Sequence, residues 1–243
     1  MTSGKKTIKD EIIEFAQGRY YFRLDELRQS LVNQHPSFSN DTLKKTLYLL
    51  KKAGRIFDAG RGWYSTIVRE CRLDKAPVEE MEQLIKRLFP FLDFRCWSTL
   101  QLRDYFHHMP NRFVSFVYSD IDSLQAVKDL LADHNYNTYL NPLKQEARKF
   151  IELREKTVIL RPLVVYRSAR SMPALEPEKA IVDLYLETEL TNLLDREEYR
   201  RLFLALIRSC RINVAAMLDY ARNRKVSDAI RIIIEEVNST KAP

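Results

Sequence analysis

At 243 residues, with 45% hydrophobic and 30% charged residues, the chain has the composition of a folded globular protein, not of a disordered or fibrous one. No apolar run approaches the roughly 20 residues that a membrane helix needs; the best candidate, Val158 to Tyr166, is interrupted by Arg161 and Pro162. The net charge of +7 is unevenly shared: residues 1–68 hold 12 Lys+Arg against 7 Asp+Glu, whereas the remainder holds 28 against 26, which points the first segment at an anionic partner such as nucleic acid.

All five glycines fall within the first 62 residues, so tight turns that only glycine makes are expected there and not from Trp63 onward. The pattern predicts a first helix over Thr7–Gln17, closed by Gly18, and a short β-run at Tyr20–Phe22. Leu24, Leu27 and Leu31 predict a second helix, and the segment Asn33–Phe38 a turn, since Pro36 disfavours helical geometry at His35. Ser39 is the expected N-cap of a third helix with Leu43, Leu47 and Leu50 facing inward and Gly54 as its C′ residue. Arg55–Ala59 and Trp63–Ile67 then read as the two strands of a hairpin across Gly60-Arg61-Gly62. This order is that of a winged helix-turn-helix, assigned to residues 1–68.

A linker is expected over Leu73–Val78, followed by a helix over Glu79–Phe89. Strands are predicted at Phe94–Trp97, Arg112–Tyr118 and Thr157–Arg167, with helices at Thr99–His107 and Ile121–His134. After Pro173 the chain reads as helix, with Asp195 and Glu198 in a capping arrangement. The whole is an α+β chain: the winged helix, then an α/β domain over 78–243 ending in a helical subdomain.

Within the third helix the apolar seam leaves Asn40, Lys44, Lys45, Tyr48 and Lys51 outward. Asn40, Lys44 and Lys45 are the expected base contacts, because the early positions of a recognition helix reach base edges. Tyr48 and Lys51 lie nearer the phosphates. Arg55 opens the hairpin, and Arg61 at its tip is placed to follow the DNA backbone or enter the minor groove.

Catalytic signals are sparse. Without glycine beyond residue 62 there is no dinucleotide loop, P-loop or nucleophile elbow in the larger segment. None of His35, His107, His108 and His134 is spaced from another ligand type as metal ligands usually are, so no metal or cofactor is expected. Glu178, Lys179 and Asp183 allow a metal-dependent nuclease or nucleotidyltransferase-like enzyme as an alternative, although carboxylates there also suit a helix N-terminus. A protein-binding adaptor is the other alternative. Cys71, Cys96 and Cys210 are odd in number and far apart, which suggests no disulfide framework and a cytoplasmic setting.

The segments Gly54-Arg55-Ile56-Phe57 and Arg61-Gly62-Trp63-Tyr64, with Pro177-Glu178-Lys179-Ala180-Ile181-Val182-Asp183-Leu184, resemble the AbiEi family of antitoxins from type IV toxin–antitoxin systems. The resemblance implies a winged helix that represses the protein's own operon by binding double-stranded operator DNA. It also implies a C-terminal antitoxin domain carrying Glu178, Lys179 and Asp183, functionally linked to a nucleotidyltransferase-like toxin. The stretch from Val78 to Ala147 carries no motif of that family.

Overall fold

The computed structural model describes residues 6–34, 39–163, 176–191 and 193–238, with the backbone alone at 34 and 148. Residues 35–38 of the expected turn, His35 among them, lie outside the described residues, as do Pro173 and the expected strand beyond residue 163. The architecture is mixed α+β. Contacts gather it into two units, residues 1–71 with 204–243, and residues 72–203.

The first unit opens with α1 (Ile8–Gln17), started by a capping box in which the Asp10 amide donates to Thr7 Oγ1 and the Thr7 amide to Asp10 Oδ2, each at 3.2 Å. Strand β1 (Tyr21–Arg23) runs straight into α2 (Leu24–Gln34), which continues through Asn33, where the turn was expected to begin. Helix α3 (Asn40–Lys52) starts at Ser39, whose hydroxyl accepts from the Thr42 amide at 3.2 Å. It ends in a Schellman motif: Gly54, at φ +64, donates to the Lys51 carbonyl and Arg55 to the Leu50 carbonyl, both at 3.0 Å. Strands β2 (Phe57–Asp58) and β3 (Trp63–Ser65) follow, and β3 is the middle strand of an antiparallel sheet ordered β1-β3-β2. Ile12, Phe22, Leu27, Leu43, Leu47 and Leu50 share one buried cluster, so the inward seam of α3 is the contact that seats it.

The same unit takes in the end of α8 (Arg196–Ser209), together with α9 (Val214–Asn223) and α10 (Ser227–Glu236). The sequence pattern places these helices in the domain beginning at residue 78. Their apolar faces are legible in sequence, but which core they cover is not. The deciding bonds are tertiary. The Tyr21 hydroxyl donates to the Cys210 carbonyl at 3.2 Å and accepts from the Ile212 amide at 3.0 Å. Asn238 accepts from the Tyr20 and Tyr21 amides at 2.9 and 3.3 Å and returns a bond to the Tyr21 carbonyl at 2.7 Å. Burial holds the Tyr21 phenol well above the ordinary tyrosine range, so it remains a donor. Arg211 caps the exit from the sheet, donating to the Ile67 and Val68 carbonyls at 2.8 Å each.

In the second unit α4 (Ala76–Leu88) begins earlier than expected and takes Pro77 into its first turn, where a missing amide costs nothing. Strand β4 (Phe94–Ser98) is followed by a 3₁₀ turn (Thr99–Tyr105) in place of the expected α-helix, then by β5 (Val114–Ser119) and α5 (Leu124–Asp133). Two elements have no counterpart in the sequence reading, β6 (Asn137–Leu140) and α6 (Lys144–Phe150). Strand β7 (Thr157–Pro162) and helix α7 (Pro177–Thr191) complete it with the start of α8. The sheet order is β4-β5-β7-β6, with β5, β7 and β6 parallel and β4 antiparallel to β5. One face is covered by α4 and α5 through Met81, Ile85, Val127, Leu131, Val158 and Leu160. Arg161 belongs to the opposite face, where α7 meets it. The left-handed turns of this glycine-free region fall on Asn135, Asn141 and Lys156, and α9 ends on another at Lys225. Cys71, Cys96 and Cys210 are buried thiols, and burial pushes the Cys96 thiol up to about 12.

Gly60 shows how closely the hairpin is held. It sits at φ +98, and a Cβ there would lie 2.1 Å from Asn213 Oδ1 and 2.6 Å from Ala215 Cβ at the start of α9. Gly62, at φ +77, has nothing within 4 Å of its would-be Cβ. Gly60→Ala is therefore expected to cost about 2–4 kcal/mol, from backbone strain plus overpacking. Gly62→Ala should cost only about 1 kcal/mol, from backbone strain alone. Urea unfolding of both variants checks this, and equal losses would contradict it.

Candidate functional site

Helix α3, the start of α2 and the hairpin wall a groove of about 560 Å³ in the first unit. Its floor is apolar, from Leu24, Leu43 and Leu47, and its rim carries Arg23, Arg28, Lys44, Lys51 and Arg61 with Asn40, Tyr48, Trp63 and Tyr64. Leu43 and Leu47 are buried on one side of α3, which sends Lys44 and Tyr48 one position on to the outer side. Tyr48 is 61% exposed, an unusual placement for an aromatic ring with an available core beside it.

Five of the seven residues expected to meet DNA line this one groove: Asn40, Lys44, Tyr48, Lys51 and Arg61. Lys45 and Arg55 are exposed but do not line it. The structure also alters the role expected of Lys51, whose Nζ donates to Asp58 Oδ1 and Oδ2 at 3.1 and 3.0 Å across the base of the hairpin. A phosphate would have to compete with that carboxylate. Burial raises the Tyr64 phenol above its ordinary range, Lys51 opposes the shift and Asp58 adds to it.

Sequence reasoning missed three contributors. Arg23 reaches the groove because β1 pairs with β3 in the register Arg23↔Trp63, which sets its guanidinium 6.0 Å from the indole centroid; it also binds Asp25 at 2.5 Å. Arg28 stands one helical turn beyond Leu24 on α2, and Trp63 completes the wall. The strand register carries this information, and no single-residue pattern announces it.

The motif at the start of α7 is placed differently from an open acidic site. Glu178 is half-buried, Lys179 is buried with Nζ 2.9 Å from Glu176, and Asp183 is 1% exposed. One turn further on, Glu187 receives both arms of Arg161, Nε to Oε1 and Nη2 to Oε2 at 2.8 Å each. Arg161 also donates to the Pro142 carbonyl at 2.8 Å. This buried, bidentate pair ties β7 to α7 and had no sequence signal beyond an arginine in an apolar run.

The third constellation joins residues that are remote in sequence. Glu198, in the first turn of α8, accepts the amides of both His107 and His108 on Oε1 at 3.0 Å. The Asp195 half of the expected cap is present, with Oδ1 accepting the Glu198 amide at 2.7 Å. Glu198 gives its carboxylate to the histidine segment. Contrary to the expectation from spacing, the ligand atoms of His107, His108 and Glu198 lie within 4.8 Å of one another.

Fold and site together define an α+β protein with a basic, aromatic-edged groove between a helix and a hairpin. Residues 42–240 match the family described as "Family of unknown function (DUF6577)", and the chain belongs to that family. The match runs from within α3 to beyond α10, so it takes in most of the groove and all of the second unit. No curated protein matches the sequence. Among the described residues no helix is long and apolar enough to cross a membrane.

Breaking the Arg161–Glu187 pair from one side leaves a buried charge uncompensated, so Glu187→Ala is expected to cost about 3–5 kcal/mol in chemical denaturation. The double change Arg161→Met with Glu187→Leu should recover most of that loss. A double variant as unstable as the single one would show that the pair is not the source of the cost.

Proposed function

We propose that the chain is a DNA-binding transcriptional regulator whose N-terminal elements act as a winged helix. Helix α3 is the recognition helix in the major groove, and the β2–β3 hairpin is the wing against the backbone. The observation that carries this reading is the convergence of Asn40, Lys44, Tyr48 and Arg61 on one groove with Arg23 and Arg28. Basic side chains on both walls suit the phosphates that flank a groove, while the Asn40 amide and Lys44 ammonium on the early turns of α3 suit base edges. The charge surplus of residues 1–68 supports it independently.

The resemblance to AbiEi antitoxins extends the proposal. The operator lies upstream of the protein's own gene, the setting is the cytoplasm, and the region containing Glu178, Lys179 and Asp183 neutralises a nucleotidyltransferase-like toxin encoded alongside. The burial of Lys179 and Asp183 fits a role for this motif in holding the antitoxin region together rather than in touching a partner.

Fluorescence anisotropy of the full-length protein on a duplex from its own upstream region tests the reading. Affinity should fall with salt at a log–log slope on the order of −3 to −5, as counterions leave the phosphates. Lys44→Ala should cost about 1–3 kcal/mol on the operator and little on random duplex. Arg61→Ala should weaken both and reduce the slope by about 1. Equal binding to operator and random duplex would refute the regulator reading, and salt-insensitive or absent binding would refute the DNA site.

A further inference from the structure

We propose that His107, His108 and Glu198 form a divalent transition-metal site, best matched to Zn2+. The donor set is two imidazoles and one carboxylate, the composition that leaves a zinc ion one open coordination position. The three ligand atoms already lie within 4.8 Å of one another. A tetrahedral site with bonds of about 2.0–2.2 Å needs donors roughly 3.3–3.6 Å apart. Both imidazoles are exposed and stand edge to face at a centroid distance of 4.3 Å, so rotation about their side-chain torsions closes the difference.

The carboxylate is the least replaceable of the three ligands. Glu198 is 8% exposed, and a buried carboxylate is ordinarily paired with a cation or bound to a metal. Among the described residues it makes no ion pair; its bonds are to the two amides of the residues whose rings would be its co-ligands. Those bonds fall on Oε1 and leave Oε2 as the ligand atom. They also fix the histidine backbone at the carboxylate, so the site is preassembled from elements 90 residues apart in sequence. Outer hydrogen bonds of this kind normally orient metal ligands. Here a single carboxylate provides both the bond to the metal and the bonds that position its neighbours.

The test is a titration of tag-free, full-length protein with ZnCl2 against a chromophoric chelator, paired with a Co2+ absorption spectrum. One Zn2+ per chain is expected. His107→Ala and His108→Ala should each weaken binding at least about tenfold. Glu198→Gln should do the same with an unchanged circular dichroism spectrum, because the glutamine carbonyl still accepts the two amides. Co2+ should give ligand-field bands without thiolate charge transfer, which separates this site from Cys71, Cys96 and Cys210. Unchanged Zn2+ affinity in the double variant His107→Ala with His108→Ala would overturn the proposal. So would a thiolate band, or the absence of stoichiometric binding.

Discussion

The geometry of the groove depends on a clasp made far from it in sequence. Strand β1 is an edge strand, and its outward backbone groups would be left to water if the chain ended with the hairpin. Instead Asn238 bonds both amides at Tyr20 and Tyr21 and the Tyr21 carbonyl, and the Tyr21 phenol is threaded between Cys210 and Ile212. These are buried or half-buried bonds, so removing one partner strands the other at a cost of about 1–3 kcal/mol each. The clasp fixes β1, β1 fixes β3 by register, and β3 carries Trp63 and Tyr64 into the groove. Gly60, pressed on the start of α9, fixes the other end of the hairpin. A segment cut at residue 68 lacks all of these supports.

The second unit stores its charge inside. Arg161 and Glu187 satisfy one another with four polar atoms between β7 and α7, and Lys179 and Asp183 are buried on the same helix. Such interior charge adds little net stability compared with apolar packing, but breaking one side of it is costly, and it joins Glu187 of α7 to Arg161 of β7. Helix α7 buries every residue from Lys179 to Leu184, polar and apolar alike, so no exposed polar side marks an amphipathic register there.

What was legible in the sequence was local. The Ser39 cap, the Leu43-Leu47-Leu50 seam and the left-handed Gly54 each act within about two helical turns, and each stands where the pattern put it. The hairpin was legible for the same reason, since its glycines answer to backbone angles. Strand β6 was not, because Asn137–Leu140 is a half-buried edge strand of polar composition with no alternation to detect. Nor was the 3₁₀ turn over Thr99–Tyr105, whose Leu102 and Tyr105 also satisfy an α-helical spacing. The grouping of His107, His108 and Glu198, the entry of Arg23 and Arg28 into the groove, and the attachment of α9 and α10 to the first unit are set by packing across long separations. Periodicity identifies an apolar face and is silent about its partner.

On the proposed reading, DNA is bound at the face formed by α3 and the hairpin. Hydrogen–deuterium exchange of the protein, with and without a saturating duplex from its own upstream region, locates the DNA on it. Slowed exchange is expected in peptides covering residues 40–52 and 57–65, with residues 72–203 unchanged. Protection confined to residues 72–203, or none despite demonstrated binding, would contradict it.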